Sequence, residues 1–107
     1  MATTDTASLN KALSAARQTC ESLQCELDSV RQVRERLEKE ADGLKQDISA
    51  LEPNDERFHQ LTKRSNQVTS HLTAMEMAEQ ELVVVLREHE ERQSDLQRQL
   101  DDATRAP

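Results

Sequence analysis

The 107-residue sequence predicts an all-α fold, an elongated antiparallel three-helix bundle with coiled-coil-like packing, on three observations. Apolar residues recur every three or four positions through most of the chain, and a stretch that cannot stay helical, Leu51-Glu52-Pro53-Asn54-Asp55, sits near its midpoint. The third is composition: one Phe, no Tyr, no Trp and one Gly leave little sheet or turn material, while Leu, Glu, Gln, Arg and Ala favour helix. Hydrophobic residues at 35% and charged residues at 33% suit a narrow seam between helices better than a thick core.

Residues 1 to 7 are small and polar and read as a frayed end, with Asp5, Thr6 and Ser8 as candidate caps. The first helix is expected over about residues 7–51. Its apolar series is Leu9, Leu13, Ala16, Cys20, Leu23, Leu27, Val30, Leu37, Ala41, Leu44, Ile48 and Leu51, and Arg34 is the one break. Such spacing marks a helix of about 43 residues, about 65 Å long, that lies along a partner. Gly43 falls beside the seam as an exposed weak point or a site of close approach.

Pro53 has no amide to donate and forces Glu52 out of helical geometry, so residues 52–54 are expected to turn. Asn54 is the expected cap of a second helix over about residues 55–88, with Asp55 and Glu56 favourably placed in its first turn. The rhythm continues as Phe58, Leu61, Ser65, Val68, Leu72, Met75, Glu79, Leu82, Leu86, His89, Gln93, Leu96, Leu100 and Ala103. Four polar residues in this seam, together with Val83, Val84 and Val85 beside it, predict a further apolar partner surface. Two arrangements supply one. Either a turn at about residues 89–94 starts a third helix over about residues 95–105, signalled by the capping-box pattern of Ser94 and Gln97, or the second helix continues and the hairpin covers its valines by dimerising.

The formal net charge of −7 argues against nucleic acid as a partner and points to basic proteins. No run is long and apolar enough for a membrane span, and the first six residues lack the parts of a signal peptide, so the expectation is an intracellular chain. Cys20 and Cys25 point about 140° apart on one helix and are expected as free thiols in a reducing cytosol. With no Gly-rich phosphate loop and no paired metal-ligand motif, the chain reads as a non-enzyme without cofactor or metal.

Arg34 and Glu79 are the charges placed within the seams. Antiparallel pairing about residue 54 sets Arg34 opposite residues 72–76. Arg34 and Glu76 are therefore the expected register pair, with Glu79 the other acid in reach and a solvent-seeking Arg34 the bland alternative. An acidic segment flanks the valines, and Glu76, Glu79, Val83, Val84, Arg87, Glu88, Glu90 and Glu91 form the candidate partner-binding set.

Glu38-Lys39-Glu40-Ala41, the acidic turn Glu52-Pro53-Asn54-Asp55 some ten residues later, and Phe58 opening the next helix together resemble the tubulin-binding cofactor A family. The resemblance covers most of the chain, with departures in the absence of tyrosine and the scarcity of lysine. It implies a cytoplasmic, cytoskeleton-associated three-helix chaperone. Such a chaperone binds β-tubulin folding intermediates before αβ-tubulin assembly, works with other tubulin cofactors, and uses no nucleotide or metal. A function of another class is a structural coiled-coil tether or cytoskeletal spacer acting by homodimerisation. Monomer against homodimer separates the two.

Overall fold

The computed structural model describes residues 5–105, so the fraying expected for the first residues lies mostly outside the described chain. Two helices, α1 over Thr6–Ser49 and α2 over Glu56–Arg105, run antiparallel as a hairpin. Asp5 caps α1: its Oδ1 accepts the amide of Ala7 at 3.0 Å and its Oδ2 accepts the Ser8 hydroxyl at 3.1 Å.

At the other end α1 stops two residues earlier than expected. The Leu51 amide donates to the Ile48 carbonyl at 3.1 Å, a tightened last turn, and Pro53 prevents any continuation. Asp55, not Asn54, caps α2. Its Oδ1 accepts the Arg57 amide at 2.9 Å, while its Oδ2 receives the Arg57 guanidinium at 2.9 Å. These bonds from Arg57, side chain first and backbone second, hold the Asp55 carboxyl below its ordinary pKa. Both residues could cap, but only Asp55 stands immediately before the first helical residue.

The expected third helix does not form. Residues 89–94 are helical and α2 runs unbroken to Arg105, so the three-helix bundle gives way to the two-helix alternative. The reason lies in residue type: Arg87 to Asp95 contain neither Gly nor Pro, and Glu, Arg and Gln carry a helix without apolar help. Ser94 stays inside the helix, and Gln97 bonds Asp101 at 3.0 Å and the Arg17 guanidinium at 2.9 Å instead of boxing a cap.

The chain divides into two compact units. The turn-proximal unit, residues 28–80, is built on Leu37, Ala41 and Val68, all buried, with Val33, Leu44, Leu72 and Met75 packed against them. Burying Leu37 and Val68 stabilises by about 1.5–3 kcal/mol each, and Ala41 and the half-buried residues contribute less. In the terminal unit, residues up to 27 and from 81 onward, the buried apolar residues are Leu9, Leu13, Ala16 and Leu27 of α1 and Leu86 of α2. Gly43 is exposed, and a Cβ built on it would meet nothing within 4 Å, so it marks no close approach.

Candidate interaction face

Successive helical residues point about 100° apart, so three consecutive valines cannot all face α1. The terminal unit separates them: Val83 is half-buried toward the seam, Val84 is 53% exposed and Val85 is 38% exposed. Around them Glu81, Arg87, Glu88, Glu90 and Glu91 are all exposed. The result is an apolar spot on one helix with carboxylates on both sides. A shallow groove lined by Arg87, Glu90, Glu91, Ser94, Asp95 and Arg98 follows, and every one of those residues belongs to α2.

The turn-proximal unit holds the other two members of the candidate set, and it uses them differently. Glu76 is exposed and takes part in no ion pair among the described residues. Glu79 is half-buried in the seam, where Arg34 Nε donates to both of its oxygens at 2.7 and 3.2 Å and Arg31 approaches to 3.8 Å. Arg34 also donates through Nη1 to Glu38 at 2.8 Å. Hydrogen bonds to Glu38 and then Glu79 hold the Arg34 guanidinium above its ordinary pKa.

The register pair is therefore Arg34 with Glu79 rather than Glu76. Side chains on a helix lean toward its N-terminus. In an antiparallel pair Arg34 leans away from the turn and Glu79 leans toward it, so their tips meet although their Cα atoms are offset. Apolar partners with shorter side chains keep the expected level, as Ala41 does beside Val68. Glu79 is thus already paired with Arg34 within its own unit.

No family model, curated protein or solved structure matches this chain. The site must accordingly be read from its chemistry. Cys20 is half-buried in the seam and Cys25 is exposed; both are free thiols. His59 and His71 are exposed, and His89 is half-buried in a seam position. Among the described residues no group of three His, Cys, Asp or Glu converges as a metal would require, and no helix is long and apolar enough to cross a membrane.

One exposed apolar residue escaped the sequence reading. Met77, in the turn-proximal unit, is 58% exposed, more than either Val84 or Val85. It lies two positions after the seam residue Met75, outside the seam series.

Proposed function

We propose that the chain is a structural coiled-coil tether or spacer that works by homodimerisation and not by catalysis. The observation that carries this reading is the unbroken course of α2, which brings no third helix back over Val84 and leaves it 53% exposed. An apolar residue of that size, ringed by charge, is stabilised when a second helix covers it. Sedimentation equilibrium of the isolated chain tests the reading. A concentration-dependent dimer is expected, and a monomer at every concentration would reject it.

A second reading is a cytoplasmic, cytoskeleton-associated chaperone of β-tubulin folding intermediates before αβ-tubulin assembly, alongside other tubulin cofactors. It is supported by the resemblance of Glu38-Lys39-Glu40-Ala41, the non-helical turn and Phe58, and by the exposed acids Glu88, Glu90 and Glu91, which suit a basic surface. The short third helix that the resemblance implies is absent from the described residues. Co-purification with folded or newly released β-tubulin is the measurement that bears on it, and failure to bind either form removes it.

A further inference from the structure

We infer that Ser49 is a phosphorylation site for a serine/threonine kinase that selects an acidic residue three positions after its target, and that the fold itself singles out Ser49. Of all the serines and threonines in the chain, only Ser49 and Thr73 carry such an acid, in Ser49-Ala50-Leu51-Glu52 and Thr73-Ala74-Met75-Glu76. Basic pockets beside a kinase's active site read charge patterns of this kind. Both residues are exposed, so sequence and exposure alone do not choose between them.

Their backbones do. A kinase must bring the hydroxyl in line with a nucleotide phosphate while the acid reaches a second pocket, which draws three residues out to about 10 Å. A helix holds the same residues within about 4.5 Å of rise. Thr73 lies well inside α2, and its hydroxyl donates to the Thr69 carbonyl at 3.0 Å. Extending it means breaking the helix on both sides. Ser49 is the last residue of α1, and residues 50–55 are the one internal non-helical stretch among the described residues. The start of that stretch is held to α1 by the Ala50 amide donating to the Gln46 carbonyl at 3.3 Å, the Leu51 amide donating to the Ile48 carbonyl at 3.1 Å, and half-buried Leu51. A helix end of this kind opens at far lower cost than a helix interior. Glu52 is exposed beyond it.

The transfer forms a bond between Ser49 Oγ and the γ-phosphorus of ATP, breaks the bond to the β-phosphate oxygen so that ADP leaves, and passes the hydroxyl proton to the kinase's catalytic aspartate. Its effect follows from position. The Ser49 hydroxyl donates to the Gln46 carbonyl at 2.8 Å, and a phosphate replaces that donor with negative charge at the C-terminus of α1, where the helix dipole opposes it. No basic residue lies in the last turn, and Asp47 and Glu52 add like charge against Lys45 one turn back. Phosphorylation therefore loosens the turn end of the turn-proximal unit.

The experiment treats the full chain with casein kinase 2, an acid-directed kinase, and magnesium ATP, and maps the phosphate by mass spectrometry. Circular dichroism verifies that each variant is folded. Ser49 should be modified about tenfold faster than Thr73, or more. Glu52→Gln should slow the Ser49 reaction about tenfold, whereas Thr73→Val should leave it unchanged. The phosphorylated chain should melt at a lower temperature than the parent. Modification of Thr73 as fast as Ser49, modification of neither, or indifference to Glu52→Gln overturns the site. A phosphorylated chain that melts no lower than the parent overturns the loosening.

Discussion

The turn-proximal and terminal units are made from the same two helices at the same heptad spacing, yet they fill the seam differently. Near the turn both helices contribute buried apolar residues, with Leu37 and Ala41 meeting Val68, and the one charged position is answered across the seam by Arg34 and Glu79. In the terminal unit α1 supplies Leu9, Leu13, Ala16 and Leu27 and α2 supplies Leu86, followed along its seam by half-buried His89 and Gln93. The terminal stretch of α2 also carries two exposed valines, Val84 and Val85, beside its half-buried Leu82 and Val83.

That contrast can be broken by substitution. Leu37→Ala should cost about 2–4 kcal/mol, because it empties a buried slot. Leu82→Ala, at a half-buried slot of the terminal unit, should cost less than half as much. Equal shifts in urea midpoint would erase the distinction. In the other direction, Gln93→Leu should stabilise by about 1 kcal/mol, and hydrogen exchange should show the added protection in the terminal unit first. Gly43→Ala, in open space on the turn-proximal stretch of α1, should stabilise by about 0.5–1 kcal/mol in thermal melts. A loss there would mean the glycine serves something other than α1 itself.

Smaller effects sharpen the account of the turn-proximal unit. A double-mutant cycle at Arg34 and Glu79 should reveal coupling, and a parallel cycle at Arg34 and Glu76 should reveal none. Asp55 has a folded pKa below its ordinary value, so its contribution is fully present above that ordinary value, about 3.9, and is lost as pH falls through the lower folded value. Asp55→Asn should therefore lower the neutral plateau of a stability-against-pH curve and flatten its acid side, with little change at pH values where Asp55 is already protonated.

Much of this was legible in the sequence. Every seam position assigned to the two helices is buried or half-buried, including the polar ones, Arg34, Ser65, Glu79, His89 and Gln93. Apolar spacing survives polar interruptions because the backbone fixes which way each residue points. The second turn was misread from a lack of aliphatic residues between Leu86 and Leu96. Absence of apolar contact weakens packing, but without Gly or Pro nothing breaks the backbone ladder. Glu79 displaced Glu76 because heptad counting locates Cα atoms, whereas ion pairs are made by tips that lean along their own helices. The valines were legible as lying beside the seam between Leu82 and Leu86, and the structure adds how far each is exposed, with Val83 half-buried and Val84 and Val85 exposed.

The turn at residues 50–55 also sets an order of assembly. Cross-helix contacts grow more distant along the chain away from it: Arg64 and Glu40 are separated by 24 residues, Arg34 and Glu79 by 45, and Arg17 and Gln97 by 80. Closing the longest of these loops first would cost about 1 kcal/mol more chain entropy than closing the shortest. Folding accordingly zips outward from the Asp55-capped turn, and the segment bearing Val84 closes after the Leu37–Val68 contacts are in place.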